Sequence, residues 1–256
     1  MLSRALIVTY HAIEPGSPPL CVHPDLFRAH VETVLSAGAR MVSISGLAEE
    51  LSSPTGDERL VAFTFDDGFA SVARSAAPVL SSHGVSATVF CVAGHVGGRN
   101  DWASDPPGGF DSALVSEEEI GALVSAGIEI GSHGLSHLPA SEATGERLEQ
   151  EICGSREALE RLTGTEVRTY AYPYGALPHP EARALVERTY DAACTTRVAF
   201  VGGQPDLHAL PRVDAHYLRR PESLRRAVEG SLGSYLVARR LGSHARRVFR
   251  RDYVTA

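Results

Sequence analysis

Short apolar runs recur along this chain, each followed by a stretch with helical spacing, and that alternation limits the fold more than any other feature. The runs lie at residues 6–10, 41–44, 60–65, 87–92, 128–131, 167–172, 191–195 and 210–214. Several, above all Leu60-Val61-Ala62-Phe63-Thr64-Phe65, lack the apolar/polar alternation of a half-exposed sheet. Strands of that kind are buried on both faces, as in parallel sheets covered by helices. Helices are predicted between and after them, over 24–37, after Ser45, over 71–82, 116–126 and 142–162, after Pro180, and over 221–229 and 235–249. Pro24 suits the first turn of one, with Gly38 just past its end, and Ser116-Glu117-Glu118-Glu119 is a capping box for another. Seven or eight strand–helix units in one domain favour a closed α/β barrel over an open sheet.

Barrel chemistry sits at the C-terminal ends of strands, and three unusual groups stand there. Phe65-Asp66-Asp67-Gly68 closes the most apolar run. Side chains alternate along a strand, so one carboxylate can bind a cation while its neighbour stays free as a base. The plain alternative is an Asx turn that caps the next helix. Ser132-His133-Gly134-Leu135-Ser136-His137 follows the run at 128–131. Two histidines four apart can converge on one metal, and with one aspartate they make a three-ligand set that leaves positions open for water. Tyr170-Ala171-Tyr172-Pro173-Tyr174-Gly175 ends the run at 167–172, and its Pro and Gly fix a turn that can aim a backbone N–H into a site.

Thr64-Phe65-Asp66-Asp67-Gly68, then Ser132-His133 with His137, then Ala171-Tyr172-Pro173-Tyr174-Gly175 resemble the ordered motifs of the polysaccharide deacetylases, carbohydrate esterase family four, over about residues 5–215. The opening Val8-Thr9-Tyr10-His11 is similar to the branch that includes bacterial poly-N-acetylglucosamine deacetylases. The resemblance implies a distorted (β/α) barrel, often seven-stranded, that hydrolyses the acetamide of an N-acetylated amino sugar. It implies that Asp67, His133 and His137 hold a divalent metal, zinc first, with Ni2+, Co2+ or Mn2+ as alternatives. Asp66 would be the general base, and the backbone N–H of Tyr174 would help stabilise the oxyanion. Tyr172 and Pro173 would line the substrate site.

The chain departs from the family pattern at two points. Many members carry an arginine just before the Pro-Tyr-Gly turn, where this chain has Ala171; Arg168 or Arg212 could substitute, and Arg212 is preferred. The general acid is often a histidine in a late Leu-x-His motif, which Leu207-His208 fits loosely. His216 is a second candidate, and His11, at the end of the first strand, is the choice. Trp102, the sole tryptophan, lies in the long polar loop 94–115. It either stacks on a sugar ring or anchors the loop.

Composition bears on partners. All 24 basic side chains are arginine, and the net charge is −7. From Arg212 onward 11 arginines face 4 acids, whereas the first 211 residues hold 13 arginines and 27 acids. An acidic body is a poor nucleic-acid binder. The expected division is a catalytic barrel over 1–218 and a basic helical extension over 219–256. That extension either packs on the body or touches an anionic membrane or a diphosphate lipid. Cys21, Cys91, Cys153 and Cys194 form no C-x-x-C pair and read as free thiols. With no secretory pattern at the N-terminus, a cytoplasmic setting is expected, and with it an intracellular glycoside, natural-product or lipid-linked glycan as substrate. The other readings are a related amidohydrolase on a non-sugar amide or imide, and an inactive metal-binding scaffold.

Overall fold

The computed structural model describes residues 5–102, 110–175 and 178–231. In chain order the elements are β1 (Ala5–Tyr10), α1 (Pro24–Ser36), β2 (Arg40–Val42), α2 (Ile44–Ser52), β3 (Leu60–Phe65), α3 (Ala77–Ser82), β4 (Thr88–Cys91), α4 (Glu117–Ser125), β5 (Glu129–Ser132), α5 (Gly145–Glu149), α6 (Ser155–Thr163), β6 (Thr169–Ala171), α7 (Pro180–Thr189), β7 (Ala192–Cys194), β8 (Val213–Asp214) and α8 (Pro221–Val228). Every named strand pairing is parallel.

The sheet runs β7-β6-β5-β4-β3-β1-β8, seven strands, with the three-residue β2 attached to β3 off this path. β3 forks: Leu60, Val61 and Ala62 pair with β2, while Thr64 and Phe65 pair with β4. The run 210–214 draws the two edges together. Leu210 N–H donates to Ala193 and its carbonyl accepts from Thr195, while Val213 and Asp214 pair with Val8 and Thr9 of β1. This is the distorted (β/α) barrel with seven strands in its ring.

Strand parity divides the apolar side chains. Ile7, Leu60, Ala62, Phe90, Ala171, Ala192, Cys194 and Leu210, drawn from strands around the ring, form the inner cluster with Leu47 and Ala48 of α2. Leu6, Val8, Tyr10, Val61, Phe63 and Phe65 face the helices instead. There Tyr10, Phe27, Phe63 and Phe65 pack ring on ring at 5.1–6.0 Å, and the Tyr10 hydroxyl bonds His30 Nδ1 at 2.8 Å. α2 crosses the floor, where the Thr88 hydroxyl accepts from Ile44 N–H and Glu129 accepts from Ser45 N–H. Glu129 also takes the hydroxyls of Thr88 and Thr169, so the N-terminal ends of β4, β5 and β6 are tied together. The floor is closed, and only the C-terminal ends of the strands are left for chemistry.

Two helices differ from the sequence expectation in the same way. The stretch 71–82 opens with a π turn at Val72–Ala76, and 142–162 is broken by another at Gln150–Gly154. Pro78, in the first turn of α3, has no N–H to continue an α ladder, which accounts for the first. The second turns the Glu151 side chain into the interior. In the loop 94–115 the described part is tied at its base: the Asn100 side chain donates to Phe110 and accepts from Ser112, and Arg99 pairs with Ala113.

α8 packs Leu224, Ala227 and Val228 into the core, and Arg225 donates to Ser36 at the end of α1. The helix expected over 235–249, with most of the basic extension, lies outside the described residues. The four cysteines are free; Cys21, Cys91 and Cys194 are buried and Cys153 is half-buried. Among the described residues no helix is long and apolar enough to cross a membrane.

Candidate active site

β3 delivers both carboxylates, and the turn after it separates them. Asp66 continues the inward parity of Ala62 and Thr64. Asp67 adopts φ 70° and Gly68 φ 76°. A Cβ on Gly68 would stand 3.2 Å from Cys91 Sγ and 3.3 Å from its Cα, so a side chain here would be crowded as well as strained and glycine suits the turn. Among the described residues three other than glycine have positive φ: Asp67, His137 at 60° and Tyr174 at 58°. All three belong to the motifs at the strand ends. Such backbone is uncommon away from glycine and persists only where its surroundings hold it.

Asp67 Oδ1 lies 3.4 Å from His133 Nε2 and 3.3 Å from His137 Nε2. The donor atoms of these three buried residues fall within 4.8 Å of one another. His133 Nδ1–H donates to the Ala171 carbonyl at 2.8 Å, which orients the ring with Nε2 toward Asp67. One carboxylate and two imidazoles, one already oriented from behind, form a group that can hold a divalent cation. Burial alone would raise the Asp67 carboxyl, but the two imidazoles outweigh it and hold the group far below the usual carboxylate range. Trp102 packs at 4.6 Å on the His137 ring and edge-on at 4.8 Å to His95, while Tyr174 lies 4.6 Å away from His137 on a half-open rim.

Asp66 faces Arg212, not the histidine pair. Arg212 Nη1 and Nη2 donate to Asp66 Oδ1 and Oδ2 at 2.6 and 2.7 Å. Arg212 is itself fixed by its Nε on the Thr195 carbonyl and by Nη1 on the Thr64 hydroxyl. Burial favours the protonated Asp66, and the guanidinium, with His133 and His11 behind it, reverses that and holds the carboxyl below its usual value. Asp66 is therefore ionised at neutral pH with one oriented neighbour, as a base requires. The structure places Arg212, and not Arg168, on this carboxylate. Arg168 lies below the barrel, paired with Glu49 and Asp191.

His11 follows β1 at the same end, where its charge acts on Asp66, Asp67 and Asp214. His208 does not join them: its Nε2 bonds the Tyr190 carbonyl just before β7, at the floor of the barrel. His216 lies past β8, its backbone N–H on Asp214. Tyr172 is on the outer face by strand parity, with its hydroxyl on the His208 carbonyl, so the structure turns it away from the site. Pro173 is buried beside Gly134. Trp102 is buried against the ligand loop and does not stand free above the mouth. Sequence reading singles out neither Glu151, whose carboxylate lies under the His133–His137 turn, nor Asp214 beside His11. Glu151 had a faint signal, for it falls on the apolar stripe of Leu148, Ile152 and Leu159.

The sequence profile of the polysaccharide deacetylase family matches residues 53–193. YxkH of Bacillus subtilis (strain 168) is 25% identical over 210 residues, covering 81% of this chain and 70% of that protein. A poly-beta-1,6-N-acetyl-D-glucosamine N-deacetylase of Staphylococcus aureus is 24% identical over 168 residues, 61% of this chain and 54% of the relative. The chain thus spans about half the length of the staphylococcal enzyme. The fold is that of the Streptococcus pyogenes deacetylase PplD, solved in complex with acetate, at a TM-score of 0.74 and 22% identity, covering 88% of this chain and 97% of that one. With more than half its length matched by the profile and its motifs gathered at one end of the barrel, the chain belongs to the polysaccharide deacetylase family, hydrolases of an amide carbon–nitrogen bond.

Proposed function

We propose that this chain removes the acetyl group from the nitrogen of an N-acetylated amino sugar carried on an intracellular glycoside, a natural-product sugar or a lipid-linked glycan. The observation that carries the reading is the pair of carboxylates with divided tasks: Asp67 grouped with His133 and His137, and Asp66 locked on Arg212. Asp67, His133 and His137 would hold the divalent metal, zinc first. Such an ion supplies Lewis-acid polarisation of the amide carbonyl and a more acidic water. Asp66 takes the proton of the attacking water, with Arg212 holding both its oxygens and so fixing the plane of the carboxylate. The Tyr174 N–H, on its left-handed turn, donates to the oxyanion that forms at the acetyl carbon. His11 returns a proton to the amine nitrogen, without which nitrogen is a poor leaving group. Trp102 keeps water from one face of His137 and leaves the sugar contact to the half-open Tyr174 ring.

Arg212 on Asp66 also weighs against the non-sugar reading. The family pattern's arginine, absent at Ala171, has its counterpart in Arg212 just before β8. The test is acetate release across free, glycosidic and lipid-linked N-acetyl sugars, with simple aliphatic amides and cyclic imides beside them. Hydrolysis confined to the amides or imides would overturn the sugar assignment.

The acid assignment has its own test. His11→Ala should lose about 10²–10⁴-fold in kcat, the usual worth of a positioned acid. His208→Ala should turn over like wild type, because its ring is tied to the floor of the barrel. Loss of activity in His208→Ala or His216→Ala with His11→Ala intact reverses the assignment.

A further inference from the structure

We propose that Glu151 is a positioning residue for the metal group: its buried carboxylate sets the turn that carries His137. The inference rests on the metal reading of Asp67, His133 and His137. Glu151 is fully buried, on the π turn between α5 and α6. Its Oε2 accepts the backbone N–H of Leu135 at 3.0 Å and of Ser136 at 2.9 Å. Its Oε1 accepts the Ser136 hydroxyl and lies 2.8 Å from Arg147 Nη2, which also donates to Ser136 Oγ. Successive backbone N–H groups aimed at one anion form a concave site of their own. Here the anion is a side chain of the same chain, so the grip is permanent.

The opposite side of the turn is held as firmly. Ala93 and Gly94 donate their N–H groups to the carbonyls of Gly134 and Leu135. A Cβ on Gly94 would lie 2.5 Å from the Leu135 oxygen, so the two segments meet with no room for a side chain. The turn 134–136 is thus clamped between the backbone after β4 and one carboxylate. The next residue, His137, stands at φ 60° with its ring at Asp67. A regular α-helix would carry Glu151 past this turn. The inserted residue of the π turn redirects it, a distortion that helices often keep at functional sites.

The test uses full-length protein stripped of metal, then titrated with Zn2+ against a chromophoric chelator and with Co2+ by its d–d absorption. Glu151→Ala should bind about 10–100-fold more weakly, the usual effect of losing a group behind a ligand. Glu151→Gln keeps one oxygen for the two N–H groups but turns an NH2 toward Arg147, so it should fall between Glu151→Ala and wild type, with an altered Co2+ spectrum. Glu160→Gln is the control. It removes the negative charge that meets Arg156 on α6, away from the turn, while its remaining oxygen can still accept from Arg156 and Val167 N–H, and it should lower Tm with metal affinity unchanged. Wild-type affinity and spectrum in Glu151→Gln overturn the proposal, whether or not Glu151→Ala folds. So does an equal loss of affinity in Glu160→Gln. Asp67→Ala separates the two ideas: if it binds metal like wild type, the metal reading itself fails; if it alone loses metal, only the role of Glu151 fails.

Discussion

Asp66→Asn should cut acetate release by about 10²–10⁴-fold, the worth of a positioned general base, while leaving metal affinity near that of wild type. Asparagine keeps the size of the side chain and one oxygen for Arg212, but it cannot accept a proton. The ligand group of Asp67, His133 and His137 does not include Asp66, so metal content and turnover separate in this variant. A second effect comes with it. Arg212 is 2% exposed, and the substitution leaves its charge without a counterion. Breaking a buried pair from one side costs up to about 3–5 kcal/mol, so the assay belongs well below the unfolding midpoint of the variant. Metal per chain, unfolding free energy and acetate release, measured on one preparation, distinguish loss of the base from loss of the fold. Turnover equal to wild type, with metal bound, removes Asp66 from the role of base.

Why Asp66 could be found in the sequence and its partner only guessed follows from where each lies. Leu60–Phe65 is apolar on both faces, so a buried strand with those bounds was readable, and a carboxylate pair at its end stood out. The histidines four residues apart stood out for the same reason. Arg212 lies 146 residues from Asp66 and meets it only because the run 210–214 closes the ring. In composition it counts as the first arginine of a basic tail, yet it is among the most buried side chains. Burial of a charge is a property of the closed barrel and leaves no local mark.

Other misses have different causes. Period-two parity already implied that Tyr172 points outward once Ala171 points inward, but the motif drew attention to the aromatic ring. The π turn at Gln150–Gly154 was invisible because one extra residue in a helix needs no glycine or proline and barely shifts the apolar stripe. The left-handed backbone of Asp67, His137 and Tyr174 could not be read either, since none is a residue that advertises positive φ by lacking a Cβ. These three turns hold the side chains and the N–H on which the chemistry depends, and each is imposed by its surroundings: Cys91 against Gly68, Glu151 and Gly94 around the histidine turn, and Pro173 with Gly175 around Tyr174.

Arg212→Met should be the most destabilising substitution in the site, by about 3–5 kcal/mol near neutral pH. Methionine fills much of the volume but strands an Asp66 carboxylate that is 4% exposed. The pH dependence shows whether charge is the cause. In the wild type Arg212 holds Asp66 below its unfolded value, so the pair stabilises the fold above about pH 4 and loses that contribution as pH falls further. In Arg212→Met burial, the largest influence on this carboxyl, is opposed only by His133 and His11, and the Asp66 carboxyl moves up from its wild-type position. The deficit relative to wild type is then largest at neutral pH and shrinks as acid protonates the stranded group. Urea unfolding at about pH 7 and about pH 5 should show this narrowing. The acid limb of kcat/KM should move to higher pH in step, because the base now holds its proton more tightly. Asp66→Asn combined with Arg212→Met should cost less than the sum of the two single changes, since neither charge is left alone. If the deficit is the same at both pH values and the two changes simply add, Arg212 stabilises through its stacking 5.8 Å above the Phe90 ring and its bond to Thr195, and charge pairing is not what seats the base.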